Sequence, residues 1–546
     1  MMLIPILLLL ASVVHGDHGS TFEPEDFSVI SALVDVGFDV SGIPEINLSN
    51  DAGDSASLIA RCTPACATLQ QRYSEDALHM ASETPYTNFT GSYWASNQGE
   101  VRPHCIFKPS SREAVQTLVL LSRHTGCPFA VKSGGHAAFP GASSIEGGIT
   151  VSLERLDQVL LSEDKKLATI GAGKIAYQLY QELGEHELTV LAGRGATIGI
   201  GGFTLGGGIS FFSSRHGLAC DNVVSFEVVT ARGEIVTASP TQHPDLFWAL
   251  RGGGNNFGIV TSFEVETILL PRNELWQKHK IYTHWWSSAN LIDAFAHAVS
   301  EADRDPDAGL WVAWVKYKGV RIASTQLWHG AANGQDSVVF EKFNKLRPVY
   351  EEGGNISLPA MTKNIESQNR YGLRECFYEI TTRADPRILK PALAYFWEAV
   401  DALAKVQGAL PALVWQGFTQ PQLRAMKKNG GNPLGLTVED GPYYNIEVAI
   451  YWDKAEDDEL VHSTVSAVLT KINVEATALG CQADYVYMNY ASRYQDVISS
   501  YGAENKARLK SIAQEYDPTG VFQTLQPGYF KLDHAPLPDP KFFSYP

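Results

Sequence analysis

Two stretches of this sequence are stripped of side chains in a way that a bound group would reward. Ser133-Gly134-Gly135-His136 follows directly on the strand-like run Phe129-Ala130-Val131-Lys132. Paired glycines admit positive φ and bare backbone, so successive N–H groups can turn toward an anion such as a phosphate. The imidazole placed next can enter the same cavity, or serve as a structural hydrogen-bonding residue. The second stretch, Gly193 to Gly208, holds eight glycines in sixteen positions. That loss of conformational restraint is economical if something flat or anionic approaches the backbone closely, the other reading being a glycine-rich bulged sheet edge. Gly171-Ala172-Gly173-Lys174-Ile175-Ala176 imitates a dinucleotide fingerprint. It lacks the acidic residue expected about 20 positions later, because 191–196 contains none. No P-loop, no G-x-S-x-G elbow and no zinc-like His/Cys spacing occurs, so no metal site is expected.

The elements that must position these residues alternate between short β-branched runs and glycine turns from Arg102 to about Leu270. Strands are expected at Ile149 to Leu153, Val223 to Thr230 and Ile259 to Glu266. Helical spacing covers Ser111 to Thr125, with Ser110 or Ser111 as cap and Gly126 as stop, and also Ile175 to Leu183. After Pro271 glycine thins out, and nine of the eleven tryptophans lie beyond it. Runs such as Leu310 to Lys316, Ala412 to Gly417 and Tyr443 to Trp452 alternate with long amphipathic stretches such as Leu389 to Lys405. The expectation is an α+β fold with two units, the second an antiparallel sheet carrying helices on one face.

Composition bounds the partners. The 546 residues are 45% hydrophobic and 19% charged, which is ordinary globular composition, and the net charge of −17 disfavours nucleic acid and anionic membranes. A neutral or cationic small molecule fits better. The apolar run Leu3 to Val14, followed by His15 and Gly16, reads as a secretory signal over residues 1–16, too short for the roughly 20 apolar residues of a membrane span. Asn47-Leu48-Ser49, Asn88-Phe89-Thr90 and Asn355-Ile356-Ser357 are then glycosylation acceptors. Cys62, Cys66, Cys105 and Cys127 form one or two bridges whose pairing the sequence leaves open, and the odd total of seven leaves at least one free thiol unless chains are cross-linked.

The order of the motifs carries a resemblance. Arg102 to Pro109 (R-P-H-C-I-F-K-P), Ser133 to His136, the Gly193 to Gly208 run, His216 to Asn222, Asp245 to Gly254 and Phe257-Gly258-Ile259-Val260 resemble the FAD-binding domain of the vanillyl-alcohol-oxidase/p-cresol-methylhydroxylase (PCMH-type) superfamily, berberine-bridge-enzyme-like branch, fungal type. The match spans about residues 60–272, with its core at 99–272, and resumes at 484–530. It implies a two-lobed FAD domain, a substrate domain over 273–483 and a C-terminal segment that returns to the flavin. Carried across position by position, it implies FAD bound covalently through His136, with Ser133, Gly134, Gly135, Ala137, Gly141, Gly195, Gly199, Gly201, Gly202, Gly206, Gly207, Gly208, Asn222 and Val260 around the cofactor. Many relatives add a cysteinyl tether near the start of the later glycine run. Here that position is Gly195, so no second link is expected. Cys220, in a flavin-proximal motif, is read as a small packed residue, a covalent link being the minor alternative.

The same resemblance assigns Glu447, in Tyr444-Asn445-Ile446-Glu447-Val448-Ala449-Ile450-Tyr451-Trp452, to the catalytic base. Alternation puts Asn445, Glu447, Ala449 and Tyr451 on one face, and an apolar setting would raise the carboxyl's pKa; the bland reading is a surface glutamate on an edge strand. Asn489 and Tyr490, in Tyr487-Met488-Asn489-Tyr490, are expected at the isoalloxazine, unless the tyrosines are simply buried. The implied activity is oxidation of an alcohol, phenol or similar group of a small molecule by hydride transfer to FAD, with O2 as acceptor, in secondary-metabolite biosynthesis. An oligosaccharide oxidase, a dehydrogenase using another acceptor and a flavin-containing cyclase or binding protein are the alternatives.

Overall fold

The computed structural model describes residues 22–24, 26–38, 43, 55–73, 77–332 and 334–537. The expected signal segment and Asn47-Leu48-Ser49 lie outside these residues. The first strands are β1 (Leu78–Met80), β2 (Cys105–Phe107), β3 (Phe129–Lys132) and β4 (Ile149–Ser152), forming a four-stranded sheet in the order β1-β2-β4-β3. The helix Arg112–Thr125 precedes β3. Ser111 caps it by accepting from Ala114 N, and Gly126 ends it at φ 68° in the left-handed region, as its sequence predicts. The chain continues through β5 (Val159–Leu161), β6 (Leu167–Gly171), β7 (Leu188–Thr189), β8 (Val223–Val229), β9 (Ile235–Ala238), β10 (Ile259–Glu266) and β11 (Ile268–Leu269). β7 pairs with β11, and the other five make an antiparallel sheet in the order β5-β6-β10-β8-β9. These two sheets are the lobes of the first unit, and one continuous apolar core runs through both.

Two disulfides, Cys62–Cys127 and Cys66–Cys105, clamp the helix Ser55–Arg72 to the first lobe. Cys62 and Cys66 stand four residues apart on that helix and so face the same way. Cys220, Cys376 and Cys481 are buried free thiols.

The remaining strands are β12 (Glu274–Thr283), β13 (Ala308–Tyr317), β14 (Val320–His329), β15 (Tyr350–Ser357), β16 (Arg374–Arg383), β17 (Leu410–Phe418) and β18 (Tyr443–Trp452). They build a seven-stranded antiparallel sheet in the order β15-β12-β14-β13-β17-β18-β16. On one face Trp314, Trp415, Tyr444, Ile446, Val448 and Trp452 join a second core with residues of the helices His284–Glu301, Leu389–Ala402 and Asp458–Leu479. The alternate residues, Asn445 and Glu447 among them, face the other way, toward the first unit. The fold is thus α+β, with helices on one face of the antiparallel sheet. Tyr487-Met488-Asn489-Tyr490 forms a 3-10 turn over Met488–Tyr490, and the helix Ala503–Tyr516 packs against the first core. Among the described residues no helix is long and apolar enough to cross a membrane.

Candidate active site

The bare loop after β3 is stitched to the later glycine run by Ser133. Its hydroxyl donates to the Ala172 carbonyl at 2.6 Å and accepts from Gly201 N at 3.1 Å. Gly134 and Gly199 meet backbone to backbone: a Cβ on Gly134 would overlap Gly199 N and lie 2.7 Å from the Thr197 carbonyl oxygen. Gly135, at φ +74°, lies against Lys132 and Tyr93. By contrast, a Cβ on Gly141 or Gly202 would meet nothing within 4 Å, so both backbones border open space. Gly206 backs onto the Asn489 side chain, and Gly207 and Gly208 turn at φ +104° and +93°. The Ala137 carbonyl accepts from Gln98 Nε2 at 2.8 Å. Asn222 spends its amide on the His216 and Leu218 carbonyls at 2.9 and 2.8 Å, and Val260 is buried in β10, so both brace the lobe. The glycines of the dinucleotide-like run have a packing reason instead: Cβ atoms there would strike the Leu156 and Leu153 carbonyls.

His136 projects from this loop between the two units. Trp94 stacks on its ring with centroids 4.5 Å apart and planes at 20°. Nε2 lies 3.1 Å from Thr197 Oγ1 and 4.0 Å from Glu366 Oε1. Glu366, the last residue of the helix Leu358–Glu366, also accepts from Thr197 Oγ1 at 2.8 Å and from Tyr371 Oη at 2.6 Å. Burial pushes its carboxyl up, but the interactions with His136, Tyr371 and Thr197 win and hold it down at about 2. A Cβ on Gly195 would approach Glu366 Oε2 to 3.0 Å, so the space beside this glycine is taken by the neighbouring carboxylate.

The second cluster is acidic. β18 lies between β17 and β16, so Glu447 is on an interior strand, 5% exposed, and is not an edge-strand surface residue. Burial raises its carboxyl to about 8, Arg194 opposing and Glu379 adding. Glu379 is the directly paired residue on β16 and is likewise raised by burial to about 8. It accepts from Thr381 Oγ1 at 2.5 Å, Asn445 Nδ2 at 2.6 Å and Tyr487 N at 2.8 Å, whereas Glu447 has no hydrogen bond among the described residues. Arg194 donates to Tyr490 Oη at 2.6 Å, its guanidinium 5.0 Å from the Trp311 ring centre. The Tyr490 phenol is raised by burial, Arg194 again opposing. Asn489 donates to the Phe203 carbonyl at 3.0 Å and to Tyr487 Oη at 3.1 Å, which makes it a strut beneath the Gly206 turn.

Trp94, Arg194, Glu366, Tyr371 and Glu379 were not among the candidates that sequence reasoning supplies. Only Arg194 carried a signal, as a cation inside a glycine run. Cys220 has 0% exposure, burial pushes its thiol well up, and it fits the packed reading.

The geometry describes a backbone cradle facing a sheet that holds a buried, unpaired carboxyl, and the comparisons define its class. Residues 103–239 match the FAD-binding domain family. The chain is 35% identical over 492 residues to the FAD-dependent monooxygenase tpcD of Cochliobolus heterostrophus, covering 86% of this chain and 94% of that protein. It is 34% identical to FAD-dependent monooxygenase FUP4 of Fusarium proliferatum, covering 87% and 95%. Xylooligosaccharide oxidase from Myceliophthora thermophila shares the fold at TM-score 0.68 and 23% identity, covering 88% of this chain and 99% of that one. 6-Hydroxy-D-nicotine oxidase from Arthrobacter nicotinovorans does so at TM-score 0.67 and 21% identity, covering 84% and 98%. The fold is therefore that of a PCMH-type flavoprotein oxidoreductase. The chain belongs to the family of FAD-binding oxidoreductases that includes these fungal FAD-dependent monooxygenases.

Proposed function

We propose that this protein oxidises an alcohol, phenol or similar group of a small secondary metabolite by hydride transfer to FAD held on His136, with dioxygen as the final acceptor. The observation that carries this reading is Glu447, a buried carboxyl without a hydrogen-bond partner among the described residues, beside the Arg194–Tyr490 pair. Residues 60–272 together with 484–530 are read as the flavin unit, and 273–483 as the substrate unit. Ser133 to Ala137, Gly141, Gly195, Gly199, Gly201, Gly202 and Gly206 to Gly208 would hold the cofactor, the open backbones of Gly141 and Gly202 leaving it room.

Bound FAD would supply the hydride acceptor. Glu447, once ionised, would take the hydroxyl proton of the substrate as its C–H bond breaks. Arg194 would steady that charge and orient Tyr490, whose phenol can hydrogen-bond the substrate oxygen. Asn489 would position the turn that carries Tyr490. Closing the sheet over the cradle would exclude water from the reacting groups.

A second reading has its own support, because the curated relatives carry the name monooxygenase. Under it, one oxygen atom ends in the product. The test of both is a panel of alcohols, aromatic metabolites and oligosaccharides offered anaerobically to the yellow protein. A substrate that bleaches the flavin band, and then yields peroxide in air without 18O from 18O2 in the product, supports the oxidase. 18O in the product supports the monooxygenase, and a flavin unresponsive to the whole panel overturns both. Acid denaturation should leave flavin on the chain and His136→Ala should release it.

Secretion fits the same reading. Two disulfides suit an oxidising compartment, and Asn88 and Asn355 are both exposed for glycosylation. Endoglycosidase treatment of the native secreted protein tests it.

A further inference from the structure

The cluster around His136 is more elaborate than holding an imidazole requires. Beside Nε2 three groups from two separate parts of the fold form one hydrogen-bonded cluster: Thr197 from the glycine run contacts Nε2, Glu366 at the end of the helix Leu358–Glu366 lies 4.0 Å from it, and Tyr371 from the loop after that helix bonds to both Thr197 and Glu366. That loop is anchored to the residue stacked on the other side of the imidazole. Gly372 N donates to the Trp94 carbonyl at 3.0 Å, and Ser96 N to the Leu373 carbonyl at 2.8 Å. The imidazole is therefore held on one face by Trp94 and at one edge by the Thr197 hydroxyl, which is bonded in turn to the Glu366 carboxylate.

The hydrogen-bond bookkeeping assigns the tautomer. Thr197 and Tyr371 each have one hydroxyl proton, their oxygens lie 2.7 Å apart, and both are in donating range of Glu366 Oε1, at 2.8 and 2.6 Å, where Thr197 gives its proton to the carboxylate. Thr197 Oγ1 can then only accept from Nε2, so the Nε2 position carries the proton. Nδ1 is left with its lone pair and has no partner among the described residues. Glu366 Oε2 is buried without a hydrogen bond, 3.0 Å from where a Gly195 Cβ would stand, so the carboxylate's charge is not spent elsewhere.

We propose that Glu366, acting through Thr197 and Tyr371, is the positioning group that makes His136 competent to bond to the flavin. The inference rests on the reading that His136 carries the cofactor. Bond formation joins Nδ1 to the carbon of the flavin 8-methyl group and breaks one C–H bond of that methyl. One proton leaves from the methyl and one from the imidazole, and the two electrons of the broken bond pass to dioxygen, which with two protons becomes hydrogen peroxide. While Nδ1 gives up its lone pair, positive charge grows on the imidazole, and the relay through Nε2–H and Thr197 to an ionised carboxylate stabilises it. Trp94 and Thr197 hold the ring so that Nδ1 points away from the carboxylate.

The experiment uses the full chain produced flavin-free in a riboflavin-starved host, mixed with FAD in air, and quenched in acid at intervals. Attached flavin is read as a fluorescent band on a denaturing gel and by intact mass. Wild type is expected to attach flavin fully. Glu366→Gln is expected to bind FAD with the wild-type visible spectrum yet attach it about tenfold or more slowly, and Glu366→Asp, which keeps the charge, recovers part of the rate. Tyr371→Phe and Thr197→Val leave the carboxylate in place, weaken the relay, and should fall between. If wild type attaches none, the His136 reading fails and takes the inference with it. If wild type attaches and Glu366→Gln keeps pace with it, only the inference is overturned. Should Glu366→Gln bind no FAD, wild-type attachment rates in both Tyr371→Phe and Thr197→Val overturn it, and slowed rates uphold it.

Discussion

Glu447 offers the sharpest test of the proposed chemistry, because its protonation and its role pull in opposite directions at neutral pH. Burial raises the carboxyl from the ordinary 4.5 to about 8. Only the ionised form can accept a proton, so at pH 6 about 1% of the enzyme is competent, and at pH 8 about half. The expected profile of the flavin-reduction step is a limb rising about tenfold per pH unit from 5 to 7, bending near 8 and level above it. Stopped-flow bleaching of the flavin band under anaerobic conditions, with a substrate from the panel at concentrations well below saturation, reads this limb directly. Glu447→Gln keeps the volume and removes the base, so reduction should fall by roughly 10²–10⁴ and the limb should vanish. A flat wild-type profile from pH 5 to 9, or the same limb surviving in Glu447→Gln, refutes the assignment. The direct pairing with Glu379 adds a control. Glu379 raises Glu447, so Glu379→Ala should shift the bend to lower pH.

Other outcomes follow from the same structure. Arg194→Met removes the cation that opposes burial at Glu447, so the bend should move above pH 8 in the same stopped-flow assay. Gly134→Ala forces a methyl group into Gly199 N, and the flavin-to-protein absorbance ratio should fall by about tenfold or more, which a cost of only ~1.4 kcal/mol suffices to produce. His462 is held neutral by burial down to about 3, against an ordinary 6.5. Only the unfolded chain takes up that proton between these values, so stability should fall as pH drops through the window, by up to about 1.4 kcal/mol per unit. His462→Gln should flatten that part of a denaturation series. Burial raises the thiols of Cys220, Cys376 and Cys481, so a thiol reagent should find none in the native protein and three after denaturation without reductant.

The local physics of this chain was legible in its sequence and the long-range physics was not. Ser111 and Gly126 bound their helix because a hydroxyl can satisfy an orphan N–H and glycine can turn left-handed, both decided within a few residues. Alternation likewise put Asn445 and Glu447 on one face of β18. What alternation cannot say is which strands flank β18. The order β17-β18-β16 places an earlier strand outside a later one, and together with Arg194 and Tyr490 facing Glu447 it turns a surface glutamate into a buried one. The partners of His136 were invisible for the same reason, since Thr197 and Glu366 are 169 residues apart and meet only when the two units pack. Four cysteines allow three pairings, and the choice was made by the placement of one helix over the first lobe.

Glu379 ties these levels together. One of its oxygens accepts from the backbone of Tyr487, and its charge lies directly across the ladder from Glu447. Docking of the C-terminal segment therefore adds a hydrogen bond that favours the ionised form of Glu379, and each increment of charge there makes Glu447 harder to ionise. The turn that delivers Tyr490 to Arg194 thus acts on the proton affinity of the carboxyl across the sheet. The Tyr487–Glu379 contact thus links position to acidity in this site, beside the larger effect of burial, so a substitution that loosens residues 487–490 should move the pH bend of Glu447 as well as weaken the contact to Arg194.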